Sequence, residues 1–331
     1  MISIGIIVNP ASGKDIRRLV SHATVIDNSE KINIVERVIL GAQALGVERV
    51  YMMSDFFRIG YRVKDKLSTS GELKCEINLI EMVNYNSIKV TMNTAEFMEK
   101  NNVGCIITLG GDGTNRAVAK VVKDTPLITI STGTNNVYPV MLEGTIAGMA
   151  AAAAASDRFD KNKYTSKDKR IEIFLDSQLK DIALVDAAIS NESFIASKAI
   201  WDMENIEKIF VTRSHPASIG FSSIVGCKKI ISPKDDFGAC INVNTSGSAV
   251  IAPISAGVME RICIDEPVIL GFDDEFEFVA NGRGSIALDG EKEIVFSDGQ
   301  HFVFKISRNG PNHIDVVKAL KTAQLNGFFL N

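Results

Sequence analysis

The sequence predicts an α/β chain with two unlike halves: a doubly wound parallel sheet through about residue 156, and a β-rich, sandwich-like domain over 157–331. Three observations predict it. Short β-branched apolar runs alternate with helix-period segments in the first half, the pattern of strands joined by crossover helices. After residue 170 the apolar runs shorten to strand length and recur about every ten residues, the spacing of an antiparallel sandwich. Between the halves, residues 157–170 are polar and lysine-rich and read as a solvated linker.

In chain order, residues 2–8 form a buried strand, and 29–45 a helix with Ile32, Val35, Val38, Ile39 and Ala42 on its apolar side and Gly46 at its end. Strands follow at 49–53 and 75–80, with a helix opened by Asp55 between them and another over 87–100 after them. The run 104–109 is the central strand, and Ala117, Val118, Val121 and Val122 mark a helix behind it. A strand at 126–130 and an alanine-rich helix from about 144 close the half. In the second half strands are expected at 171–175, 181–189, 208–213, 239–243, 248–252, 261–264, 267–271, 275–280, 293–296 and 301–306. Helices are expected at 217–226 and 313–324, the last packing back on the first domain.

The central strand runs into Gly110-Gly-Asp-Gly-Thr114. Glycines there open torsions closed to other residues and let a ligand approach the main chain. A helix N-terminus beyond them adds free N–H groups and a favourable dipole for an anion. Asp112 has the wrong charge for gripping phosphate, so its expected work is chemical or metal-directed. Gly111-x-Gly113 fails as a dinucleotide fingerprint because Arg116 stands where a small residue belongs, and Gly282-Arg-Gly-Ser-Ile-Ala287 leads into a turn instead of a helix. The loop Asn9-Pro-Ala-Ser-Gly-Lys14 is not a P-loop, since Val8 occupies the first glycine position. Ligands of doubly wound sheets bind outside the carboxyl ends of the strands. This brings 9–14, 110–114 and 131–136 to one rim facing an interdomain cleft, with candidate ligand contacts Asn9, Ser12, Gly13, Lys14, Gly110, Gly111, Gly113, Thr114, Thr132, Gly133, Thr134, Asn135 and Asn136.

Composition narrows the rest. The chain has 331 residues, 46% hydrophobic and 23% charged, with a net charge of only −4. Such a charge sets up no field for nucleic acid or an acidic membrane. Five cysteines without a C-x-x-C pair suit buried thiols in a reducing compartment, and the four histidines form no ligand cluster. No apolar run approaches membrane length and no signal peptide opens the chain, so a cytoplasmic location is expected; a homo-oligomer, a dimer, is a separate expectation.

Asn9-Pro-Ala-Ser-Gly-Lys14, Gly110-Gly-Asp-Gly-Thr114 and Ser131-Thr-Gly-Thr-Asn-Asn136, with the later stretches Ala252-Pro-Ile-Ser-Ala-Gly257 and Leu288-Asp-Gly-Glu291, resemble the ATP-NAD kinase superfamily, and most of all its acetoin-catabolism (AcoX-type) branch. The resemblance implies ATP as phosphoryl donor, Mg²⁺ as cofactor and NAD(H) as acceptor, with Asp112 as the base on the acceptor hydroxyl. Two departures bear on the acceptor. Val185 stands where NAD kinases carry an asparagine, leaving only Asp186 matched; the resemblance makes Asp186 a nucleotide contact on the opposite wall of the cleft, and makes the rim residues nucleotide contacts too. The T-P-T-G-S-T-A-Y segment of NAD kinases has as nearest counterpart Ser214-His-Pro-Ala-Ser-Ile-Gly220, with few of its hydroxyls. The resemblance leaves open a kinase of another metabolite or lipid, and a nucleotide-binding regulator without turnover.

Overall fold

Two apolar faces on one set of strands determine the first layer. In the computed structural model, which describes residues 1–12, 22–24, 26–81, 88–191 and 203–330, β1 (Ser3–Val8), β2 (Arg49–Met53), β3 (Glu76–Ile80), β4 (Ile106–Gly110) and β5 (Leu127–Ser131) pair in parallel in the order β3-β2-β1-β4-β5. Because side chains alternate along a strand, Ile4, Ile6 and Val8 face one core while Ile7 faces another. The first core is closed by α1 (Asn28–Ala44), α2 (Ile59–Thr69) and α5 (Gly144–Ala155), the second by α3 (Ile88–Lys100) and α4 (Asp112–Ala119). The chain thus leaves β1 toward one face and β4 toward the other. The crevice where such a sheet takes its ligand lies between these two strand ends.

This sheet continues beyond the first half. The expected linker holds β6 (Thr165–Lys167), and the expected last helix is preceded by β18 (Asn312–Ile314); β18 pairs in parallel with β5 and antiparallel with β6. The helix itself, α7 (Val316–Leu325), starts three residues later than the sequence suggests and lays Ala319 and Ala323 on the first layer. Residues 157–163 are mostly exposed, as expected, but the linker's end is not: Asp168 and Lys169 are buried, and Lys169 Nζ donates to the carbonyls of Ser232 and Phe237.

The remaining chain is antiparallel β structure, as expected. One sheet orders β12 (Val258–Ile264), β11 (Phe237–Ser255), β10 (Ile206–Val211), β9 (Asp186–Ser190), β15 (Gly284–Leu288) and β16 (Glu291–Phe296), with β13 (Val268–Gly271) paired to β11. A second orders β14 (Glu275–Val279), β17 (His301–Ser307), β7 (Arg170–Leu175) and β8 (Gln178–Ala183). Side chains such as Phe210, Phe302, Phe304 and Ile286 fill the space between the two, and α6 (Phe221–Gly226) covers the far face with Ile224 and Val225. Two expected strands, 239–243 and 248–252, are one long strand. One expected strand, 181–189, is two, because the amides of Leu184, Val185 and Asp186 turn away to the Asp289 carboxylate. The expected helix start at Ser87 lies outside the described residues. Among the described residues no helix is long and apolar enough to cross a membrane.

Candidate active site

The loop after β1 begins with Asn9, whose amide N–H continues the ladder to Leu109 while its side chain donates to Thr114 Oγ1 at 2.8 Å. That bond spans the crevice and ties the first loop to α4. The Ser12 hydroxyl donates to the Asn9 carbonyl, closing a tight turn. Lys31 enters this turn from α1, wholly buried, donating to the carbonyls of Asn9 at 3.0 Å and Ser12 at 2.9 Å and to Asn28 Oδ1. Gly13 and Lys14 lie outside the described residues.

The second loop is tighter than the sequence suggests, because α4 starts at Asp112 itself and ends at Ala119, leaving Val121 and Val122 past its end. Gly110, Gly111 and Gly113 do not use the left-handed torsions open to glycine. They are there for space. A Cβ on Gly110 would stand 2.5 Å from Thr114 Oγ1, one on Gly111 would stand 2.7 Å from Asn136 Oδ1, and one on Gly113 would meet Glu291 at 3.1 Å. The buried Asp112 carboxylate accepts the amide N–H of Tyr138 at 2.8 Å and of Val137 at 3.1 Å. These bonds fix its orientation and join the second loop to the third.

The third loop spends much of its polarity on holding its neighbours. Thr132 donates to the Ser12 hydroxyl, the Thr134 hydroxyl accepts from Thr24, and Asn136 donates to Ser131 Oγ and the Gly133 carbonyl. Asn135 clasps the tip of the β11–β12 hairpin, giving a bond to Ser255 Oγ and taking one from Ala256 N–H. Gly220, in the stretch 214–220, donates its amide to the Pro253 carbonyl at the same tip. The three loops and the hairpin tip thus form one bonded rim.

The wall from the second domain is held by charge. Arg116, one helical turn after Asp112, is fully buried among Glu293 (2.8 Å), Asp289 (3.5 Å) and Asp181 (3.8 Å). Burial works to lower its pKa, but these carboxylates together hold it above the ordinary arginine value, so it remains a cation. Asp186, at the start of β9, accepts the Asp289 amide on its carbonyl, donates its own amide to the Asp289 carboxylate, and reaches α4 through the Asp289–Arg116 pair. Val185 is a core side chain packed with Tyr138, Ile182 and Leu184.

A second buried cluster backs the third loop. The Tyr138 hydroxyl donates to Asp168 at 2.6 Å, and Arg213 and His313 close on the same carboxylate at 3.4 and 3.8 Å. Burial, and then the Asp168 charge, push the Tyr138 phenol well above its usual value, so it stays a neutral donor. Burial likewise pushes His313 below its usual value.

Three of these groups escaped the reading of sequence alone. Lys31 shares the helical stripe of Val35, Val38 and Ala42, a position where a lysine needs a partner. Arg116 and Asp289 each stand in a motif noted for other reasons. Among the described residues no three His, Cys, Asp or Glu side chains gather as a metal cluster. Asp112 and Glu291, beside Gly113, are the carboxylates at the glycine turn. Mg²⁺ on a phosphate asks no more of a protein than one or two carboxylates.

Comparison with known proteins finds two families along the chain. Residues 4–159 match the ATP-NAD kinase N-terminal domain family and residues 169–309 the acetoin catabolism protein X C-terminal domain family. Over its length the chain is similar to acetoin catabolism protein X of Cupriavidus necator, 32% identical across 97% of this chain and 92% of that one. Among solved structures it is similar in fold to yeast NADH kinase complexed with NADH, at a TM-score of 0.54 and 15% identity, covering 100% of this chain and 89% of that one.

Proposed function

The chain belongs to the acetoin catabolism protein X family, with an NAD kinase-type first domain, and from that premise we propose that it is a phosphotransferase carrying a phosphoryl group from ATP to a hydroxyl, with NAD(H) as acceptor. The observation that carries the reading is Asp112, fixed by two amides at the first turn of a helix that opens on the crevice between β1 and β4. Phosphoryl transfer asks a protein for positioning, charge neutralisation and one group that orients or deprotonates the hydroxyl. The amides of the Gly110–Thr114 turn and the N-terminus of α4 suit the phosphates. Asp112 suits the hydroxyl. Mg²⁺, when bound, would supply charge neutralisation, held by Glu291 or, in place of the role on the hydroxyl, by Asp112. The protein works on small molecules in the cytoplasm, as a homodimer, without nucleic acid or membrane; the five cysteines are free thiols, as a reducing compartment keeps them.

One observation favours a second reading. Val185, at the position of the NAD kinase asparagine, is sealed in an apolar cluster and offers only its amide, already given to Asp289. An acceptor other than NAD, a lipid or a small hydroxylated metabolite, or a nucleotide sensor without turnover, fits that substitution.

The test is purified protein with Mg-ATP and a panel of NAD, NADH, diacylglycerol and small polyols, read by mass. A product 80 Da heavier than NAD or NADH supports the first reading. A phosphorylated product from another panel member moves the acceptor. Nucleotide binding with no product from any of them leaves the sensor.

A further inference from the structure

Tyr138 is bonded at both ends. Its amide N–H reaches the Asp112 carboxylate at 2.8 Å, beside the Val137 amide at 3.1 Å. Its phenol, buried behind the third loop, donates to Asp168 at 2.6 Å. A phenylalanine would fill the same space among Ile182, Leu184 and Val185. It would also keep a hydroxyl out of an apolar cluster, where an O–H is unfavourable unless bonded. Packing alone does not account for the hydroxyl. A bond from O–H to a carboxylate is short and strong, so it fixes where the ring ends.

The acceptor of that bond is itself held. Asp168 lies between β6 and β7; its N–H donates to the Pro311 carbonyl at 2.9 Å and its carbonyl accepts from Gly310 at 3.0 Å. Gly310 packs so close that a Cβ there would stand 2.5 Å from the Asp168 carbonyl oxygen. Arg213, just past β10, lies 3.4 Å from the Asp168 carboxylate and sets its guanidinium 5.0 Å from the Tyr138 ring centre. His313 of β18 meets the same ring edge to face at 5.9 Å. β6 and β18 belong to the first sheet, β7 and β10 to the two sheets of the second domain. The phenol is gripped where these layers join, and Arg213 leads directly into the stretch 214–220.

Beyond Tyr138 the chain is held by β5: the Ser131 amide donates to the Val140 carbonyl at 2.8 Å and the Val140 amide to the Thr129 carbonyl at 3.3 Å. That pairing fixes Val140 and still lets the peptide between Val137 and Tyr138 tilt. Anchoring the Tyr138 side chain sets its Cα–Cβ direction and leaves that peptide little freedom. We propose that Tyr138 is a positioning residue for Asp112: its anchored phenol holds the peptide whose N–H orients the carboxylate toward the acceptor hydroxyl. The proposal rests on the phosphotransferase reading and deepens it, because it makes the second domain, through Asp168 and Arg213, a determinant of how the base is aimed. Aim matters: a misplacement of about 1 Å lowers a rate by about 10².

The test compares wild type with Tyr138→Phe, which keeps the ring and loses the bond to Asp168, and with Asp168→Asn, which keeps an acceptor and loses the charge. Hydrogen exchange of single amides is read by NMR, and kcat and KM are measured with Mg-ATP on the acceptor that wild type phosphorylates. In Tyr138→Phe the amide of residue 138 should exchange faster by a factor about tenfold greater than any change at Ile107 of β4, which reports global opening. The kcat should fall about tenfold to a hundredfold with KM close to wild type. Asp168→Asn should move both readouts the same way and by less, and it decides the matter alone if Tyr138→Phe does not fold. Unchanged exchange at residue 138 overturns the proposal and spares the phosphotransferase reading, since the Val140 pairing would then hold the peptide. Equal acceleration at residues 107 and 138 also overturns it, leaving the phenol a matter of global stability. So does a normal kcat in a variant whose residue 138 amide exchanges faster. Wild type that phosphorylates no acceptor overturns the positioning role and the phosphotransferase reading together.

Discussion

Arg116 of α4 and Asp289 of the β15–β16 turn meet at 3.5 Å with both side chains out of solvent. Asp289 spends its oxygens further on the amides of Leu184, Val185 and Asp186. The helix that presents Asp112 is therefore locked to the second domain through one guanidinium four residues away. Movement of the second domain relative to α4 breaks this group of charges or carries the helix with it.

Removing one partner of a buried ion cluster strands the others. Arg116→Met should cost about 3–5 kcal/mol of unfolding free energy, read from urea denaturation. A loss within experimental error of zero would mean that Asp289, Glu293 and Asp181 find other partners.

Asp112→Asn should lower turnover on the true acceptor by about 10² to 10⁴, with nucleotide affinity changed only a few-fold. The amide nitrogen of an asparagine would also face the Val137 or Tyr138 N–H that the carboxylate now accepts, so the third loop should exchange its amide hydrogens faster. Loss of Mg-nucleotide affinity in step with rate would make Asp112 a metal ligand instead of a base, and unchanged turnover would remove it from the mechanism.

The Asn9 turn depends on Lys31. Lys31→Met leaves carbonyls of Asn9 and Ser12 without their donor and should cost about 1–3 kcal/mol, with weaker ADP binding. Normal ADP affinity in a destabilised variant would confine Lys31 to folding.

His313 gives a dependence on pH with a defined sign. Its folded pKa is lowered by burial, against the pull of Asp168 and Asp315 and with the added push of Arg213. A depressed histidine contributes stability that is present above its unfolded value near 6.5 and is lost as pH falls through the folded value. His313→Gln, which cannot titrate, should lose less stability than wild type between about pH 6.5 and 5, by on the order of 1 kcal/mol. Parallel denaturation curves for the two proteins across that range would refute it.

The parallel sheet and its rim were legible because buried strands are continuous apolar runs and the glycine turn stands between a strand and a helix. The glycines were expected to serve torsion and the close approach of a ligand; the special torsions are not used, and the glycines serve close packing, a property of three-dimensional neighbours such as Asn136 and Glu291 that spacing does not carry. The same limit hid β18. Three residues, Asn312–Ile314, bear no period and become a strand only because β5 and β6 flank them. The burial of Asp168 and Lys169 was hidden because both are charged, and their partners Arg213, Ser232 and Phe237 stand more than forty positions away.

The return of β18 to the first sheet carries a consequence for synthesis. A ribosome delivers residues 3–131 long before Asn312–Ile314, so the nascent first domain waits with the Leu127 end of β5's far edge bare, the other end being paired with Val140. Its α5 likewise waits for the face that Ala323 and Phe328 will cover. Exposed strand edges and apolar faces are where unfinished chains associate. Expression of residues 1–156 alone should give aggregated material, and this fold should lean on chaperones until residues 312–328 emerge.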